Sequence, residues 1–309
     1  MEITASMVKE LREMTGAGVM ACKKALVETD GDFDKAIELL REKGEATAVK
    51  KAGRIAAEGT VLAVVEDKKA VIVEVNSETD FVAKNDKFRT FVADVAEQIM
   101  GSDADSVEAL LEEKFIKDEA KTVKEELVSQ IAVIGENLSV RRFEKIATDG
   151  IIVPYIHGGG RIGVLVEATT DVDNDEVKEA LRNVAMQVAA LNPKYTCRDE
   201  VSEEYIAHEK EILLAQIKND PKEASKPEKV IEGMVNGRIN KQMKEICLLD
   251  QVYVKAEDGK QTVAQYIAEV AKATGSNLAL KRFVRFETGE GIEKKQENFA
   301  EEVAKQMGN

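Results

Sequence analysis

The chain has 309 residues, 44% of them hydrophobic and 33% charged, with a formal net charge of −14. Its length is enough for two or more domains with buried cores. The acidic balance argues against direct nucleic-acid binding, because phosphate contacts demand a basic footprint. The one short basic run, at 43–54 with Lys43, Lys50, Lys51 and Arg54, reads as a solvated helix face or linker. Cys22, Cys197 and Cys247 with His157 and His208 have no metal-ligand spacing, so no metal or cofactor is expected. Sparse cysteines suit a reducing compartment, and neither a signal peptide nor a membrane-length apolar run appears, so the expected location is cytoplasmic.

Three short helices are predicted in the first 50 or so residues. The first runs over about 5–14. The second starts near Gly18 and buries Gly18, Cys22, Ala25 and Leu26. The third follows Asp32 as N-cap, buries Phe33, Ala36, Ile37 and Leu40, and ends at Gly44. Met20 lies nearly opposite Cys22 on its helix. It is either a stray exposed methionine or a partner contact, with Val19 beside it and Lys9 and Arg12 on the preceding helix.

The remainder is duplicated. AVIVEVNSETDFVAKNDKFRTFVADVA from Ala70 aligns without a gap on GVLVEATTDVDNDEVKEALRNVAMQVA from Gly163, at an offset of 93. Glu74 meets Glu167, Phe88 meets Leu181, Phe91 meets Val184 and Val95 meets Val188. KTVKEELVSQIAVIGENLSVRRF from Lys121 aligns on QTVAQYIAEVAKATGSNLALKRF from Gln261, at an offset of 140. Each half therefore reads as a strand hairpin, two helices and a closing strand, an α+β class with small antiparallel sheets. The change of offset leaves about 47 extra residues in the second half. They read as two amphipathic helices, about 202–219 and 228–246, separated by Asp220-Pro221 and Lys226-Pro227. Such a hairpin is extra core or a projecting arm of roughly 25–30 Å. A last amphipathic helix is expected over 293–307, with Phe299, Val303 and Met307 at helical spacing. The resulting divisions are 1–54, 55–147, 148–287 with the arm at about 194–247, and 288–309.

Position 81 breaks the duplication. In NSETDFVAKN, Asp80 matches Asp173 but Phe81 matches Asn174, so the shared plan does not require an aromatic there. Phe81 either staples the helix start against Phe88 or stands exposed as an anchor for a partner's pocket. Asp80 is either a helix cap or a competitor for groups that hold a phosphate. The glycine-rich His157-Gly158-Gly159-Gly160-Arg161 lacks a P-loop's lysine and following helix, and reads as a hairpin turn with His157 and Arg161 at the surface. No nucleophile, base and orienter can be assembled from the motifs, which argues against an enzyme.

MVKELREMTGAGVMACKKAL, NSETDFVAKN, HGGGRIGVLVE and RFETGEGIEKK together resemble the bacterial elongation factor Ts family over essentially the whole chain. The resemblance implies a ubiquitin-associated-like head, a coiled-coil arm, and elongation factor Tu as the partner whose GDP is released. It implies that Lys9, Arg12, Val19 and Met20 touch the partner's GTPase domain. Asp80 and Phe81 would enter near its magnesium site, Thr79 and Val82 beside them would also bind the partner, and His157 would touch another of its domains. A homodimer or a 2:2 complex stays open.

Overall fold

The computed structural model describes residues 3–15 and 17–293. Three helices, α1 (Ala5–Thr15), α2 (Val19–Glu28) and α3 (Phe33–Lys51), form the head. They close on Val8, Leu11, Cys22, Ala25, Leu26 and Ala36. Asp32 caps α3, its side chain accepting from the Lys35 N–H at 3.1 Å. Gly18, expected in the buried stripe, is instead the exposed N-cap of α2.

Gly44 does not end α3, which runs on to Lys51. The glycine is there for approach: a Cβ on it would lie 3.6 Å from Ala132 Cβ and 3.7 Å from Val128 Cγ1, on the helix at 123–134 that α3 packs against. Those are ordinary van der Waals distances, and a mid-helix glycine costs roughly 1 kcal/mol relative to alanine. Gly44→Ala is therefore expected to stabilise the chain by about 0.5–1 kcal/mol, read as a rise in the urea midpoint at unchanged slope.

The first half of the body runs β1 (Glu58–Glu66), β2 (Lys69–Ser77), α4 (Asp80–Ala83), α5 (Asp86–Gly101), α6 (Val107–Glu112), β3 (Lys114–Phe115), β4 (Asp118–Thr122), α7 (Val123–Ile134) and β5 (Ser139–Ala147). The second runs β6 (Ile151–His157), β7 (Ile162–Thr169), α8 (Asp175–Leu191), α9 (Glu203–Asn219), α10 (Pro221–Ala224), α11 (Glu228–Ile246), α12 (Val263–Thr274) and β8 (Ala279–Glu287). Each half forms an antiparallel three-stranded sheet, β1-β2-β5 and β6-β7-β8. The duplication extends to the helix ends. Thr122 with Glu125 and Thr262 with Gln265 make capping boxes, and Gly135 and Gly275 close α7 and α12 in the left-handed region. Between its two main helices, the first half has α6 and the β3–β4 ribbon where the second has α9–α11.

The sheets pack face to face. Val61, Ala63, Ala70, Ile72 and Ile146 of the first meet Ile152, Leu165, Val284 and Phe286 of the second. The alternate residues of β2 and β7 point outward. Val71, Val73 and Val75 meet Phe88, Phe91 and Val95 of α5, and Val164 and Val166 meet Leu181, Val184 and Val188 of α8. The body is thus four layers, helix–sheet–sheet–helix. A Cβ on Gly163 would fall 2.4 Å from Val61 Cγ1, so glycine sets how closely the sheets approach.

Glu74 and Glu167 lie fully buried at matching places. Beside each, the pairing to the closing strand slips: Glu74 pairs with Arg142 while Val75 pairs with Val140, and Glu167 pairs with Arg282 while Ala168 pairs with Leu280. A bulge sets two residues against one. Arg141 and Arg142 therefore both reach Glu74, at 2.9 and 2.6 Å, and Lys281 and Arg282 both reach Glu167, at 2.7 Å each.

The arm is antiparallel, with Gln242 of α11 donating to Glu209 of α9 at 2.8 Å and Arg238 reaching Glu223 of α10 at 2.8 Å. Its buried residues, Val201, Ile217, Val235, Ile239, Met243 and Cys247, form a cluster of their own, distinct from those of the body. That separate cluster is what an arm with its own small core would have. The terminal helix expected over 293–307 falls, beyond Glu293, outside the described residues.

Candidate functional site

After β2 leaves the sheet, Thr79 caps α4, its hydroxyl accepting from the Val82 N–H at 3.3 Å. One turn of helix then points its residues in different directions. Ala83 is buried, Val82 packs partly against the first-half core, and Phe81 stands 80% exposed. Phe88 is wholly buried, so the two phenylalanines make no staple. Asp80 is not the cap. It occupies the first helical position and pairs with Lys84 at 2.6 Å, and this hydrogen bond draws its carboxyl below the ordinary carboxylate range. The residue that matches Phe81 in the second half, Asn174, does local work instead, capping α8 through the Val177 N–H at 2.9 Å.

The turn is anchored to the loop between α7 and β5. Glu136 accepts from the N–H groups of Glu78 and Thr79 at 3.0 Å each and from the Thr79 hydroxyl at 2.6 Å. Glu78 accepts from the Asn137 N–H at 2.6 Å and meets Arg54 at 3.4 Å. Asn137 in turn donates to the Arg54 carbonyl at 2.8 Å, and Lys51 donates to the Gly135 carbonyl. One loop, 135–137, thus holds both the aromatic turn and the chain leaving the head. Two of the four cations in the basic run serve this tie and are not merely solvated.

Lys9 and Arg12 on α1 and Val19 and Met20 on α2 are all exposed, Met20 by 62%. Lys9 sits 3.7 Å from Glu13 in a surface pair of little energetic weight. His157 lies at the exposed end of β6, its Nδ1 3.1 Å from the Tyr155 hydroxyl. The following turn takes positive φ at Gly158, Gly159 and Gly160 and leads into β7. The Gly160 carbonyl accepts from the Val61 N–H at 2.7 Å, which fastens the turn to the first sheet. Of the residues picked from sequence, the structure gathers Thr79, Asp80, Phe81 and Val82 on one short turn. The head residues and His157 stand on separate elements. Glu136 and Asn137 were not picked as site residues from sequence, and Arg54 was read there only as part of a solvated basic run. The mismatch of Glu136 with Ser276 at the offset of 140 was the signal available.

Among the described residues, no group of three or more histidine, cysteine, aspartate or glutamate side chains is arranged to hold a metal ion. Among the same residues, no helix is long and apolar enough to cross a membrane. The family model described as Elongation factor TS matches residues 78–290. The chain is 54% identical over 307 residues to the elongation factor Ts of Clostridioides difficile (strain 630), covering 99% of each chain. It is 54% identical over 308 residues to that of Clostridium novyi (strain NT), again covering 99% of each. Similarity of that extent, running through the aromatic turn, both sheets and the arm, means that the chain belongs to the elongation factor Ts family and to the translation-elongation machinery of protein biosynthesis.

Proposed function

We propose that the chain is the guanine nucleotide exchange factor of elongation factor Tu, and that the Asp80–Phe81 turn is the element that enters near the partner's magnesium site. The observation that carries this reading is the placement of Phe81. A large apolar ring is held 80% in solvent on a turn whose backbone N–H groups are gripped by Glu136 and whose Glu78 carboxylate holds the Asn137 N–H. An ordered, exposed aromatic is the kind of group that anchors an interface. Lys9, Arg12, Val19 and Met20 serve as a second contact, on the GTPase domain, and His157 as a third. With a net charge of −14, the chain works through protein contacts and not on nucleic acid.

Exchange by this route is coupled binding and needs no covalent chemistry. If the factor weakens GDP binding by some ratio, GDP weakens binding of the factor by the same ratio. Each tenfold of that ratio takes about 1.4 kcal/mol of contact made only in the nucleotide-free complex. Insertion of Phe81 beside the phosphate and magnesium ligands supplies such contact. The test is stopped-flow release of fluorescent GDP from elongation factor Tu with and without the chain. Acceleration is expected. Tight binding with an unchanged off-rate would instead make the chain an adaptor.

A further inference from the structure

Resting on the exchange reading above, we infer that Glu136 is a positioning residue for that reaction, acting through the Phe81 turn. The duplication supplies an internal control. Several ties at the tip are common to both halves. Ser77 donates to the Thr79 carbonyl at 3.0 Å as Thr170 does to that of Val172. The Asn137 N–H is accepted by Glu78 at 2.6 Å as the Asn277 N–H is by Asp171 at 2.9 Å. These bonds belong to the fold, because both halves need them to join the hairpin to the closing strand.

Of the bonds of Glu136, that to the Glu78 N–H has a counterpart, made in the second half by the side chain of Asn277, which accepts from the Asp171 N–H at 2.9 Å; those to the Thr79 N–H and hydroxyl have none. The match of Glu136 itself is Ser276, which bonds Thr274 at 2.8 Å and leaves the tip alone. The match of Thr79 is Val172, whose N–H is satisfied locally by the Thr170 hydroxyl at 3.1 Å. A carboxylate gripping two backbone N–H groups and one hydroxyl therefore occurs only in the half whose tip carries an aromatic. The second half ties its tip to the matching loop through one such backbone bond, so what the added bonds to Thr79 secure is the aim of the turn. Fixing a contact group in its working geometry before the encounter removes an ordering cost from the bound state. The loop bearing Glu136 also receives Lys51 and Arg54 from the head, so the turn is held in a set relation to the second contact surface.

The experiment compares full-length wild type, Glu136→Ala, Glu136→Gln, Phe81→Ala and the Glu136→Ala/Phe81→Ala pair in GDP release from elongation factor Tu at saturating factor. Amide hydrogen exchange of Glu78 and Thr79 is followed in the free chain. Glu136→Ala is expected to slow release about tenfold or more, as misplacement of an oriented group does. Glu136→Gln keeps the reach but only one accepting oxygen, and should fall between it and wild type. Both variants should speed exchange of the two amides. The double variant should be no slower than Phe81→Ala alone, since Glu136 acts through that ring. A folded Glu136→Ala that releases GDP as fast as wild type overturns the inference. So does a double variant slower than Phe81→Ala by the full factor seen in the single. A wild-type chain that leaves release unchanged sinks the exchange reading itself, and this role with it, whereas normal release by Glu136→Ala beside an active wild type sinks this role alone.

Discussion

Phe81→Ala should leave the free chain as stable as before and slow partner GDP release by roughly 30- to 800-fold. The two halves of that expectation have separate causes. The ring is 80% exposed and makes no staple with Phe88, so removing it opens no cavity. Stability should change by under about 0.5 kcal/mol, as for surface sites generally. On the proposed reading the ring is an aromatic anchor in the complex worth about 2–4 kcal/mol, and the rate range follows from about 1.4 kcal/mol per tenfold. Urea unfolding and single-turnover release measured on one preparation separate the two. A variant that unfolds, or one that exchanges normally, removes Phe81 from the mechanism. Phe81→Leu is a useful companion, since it keeps apolar volume without the flat ring.

Glu74→Gln should do the reverse, harming the fold far more than any direct contact. Glu74 is fully buried between the sheets and satisfies four donors: Arg141, Arg142, Asn76 at 3.0 Å and the Gly289 N–H at 2.7 Å. Losing its charge leaves the Arg141 guanidinium without its carboxylate and Arg142 with only Glu290, at 3.1 Å, as counter-ion, at a cost of up to about 3–5 kcal/mol for a broken buried pair. Glu167→Gln removes the same kind of bond but should cost less, because Lys281 and Arg282 are closer to water than Arg141 and Arg142. For Glu74, burial opposes the charge, yet the Gly289 N–H, Asn76, Arg141 and Arg142 outweigh it and hold the carboxyl below its ordinary value of 4.5. For Glu167, burial is likewise outweighed, by Lys281, Thr148 and Arg282. A carboxyl depressed on folding contributes stability that is complete above its unfolded value and is lost as pH falls toward the folded one. Wild type should therefore weaken progressively below about pH 4.5, and Glu74→Gln should weaken less steeply there, as read by urea midpoints across the acid range.

Most of the architecture was legible because its signals are local or repeated. The Asp32 cap and the Pro221 and Pro227 breaks each act within a turn or two of chain. The repeat then set the order of elements in one half against the other. Gly44 misled because a stop and a close helix approach use the same residue, and only the presence of α7 opposite distinguishes them. The face-to-face sheets were not foreseen. Val71 and Ile72 are both apolar, and nothing local tells which neighbour each will meet. At the candidate site, Phe81 was found through its mismatch with Asn174. Glu136 escaped notice because nothing local in sequence ties it to Glu78 and Thr79, which lie nearly 60 residues upstream.

Each sheet wears helices on its outer side and leaves its inner side greasy, so one half by itself is an unfinished object. A single unit of this kind becomes a closed particle only by finding a twin, at a rate and occupancy set by concentration. Joining two in one polypeptide makes that meeting permanent. It also frees the twins from being identical, and one has gained a pointed ring with its bracket while the other has gained a long helical limb.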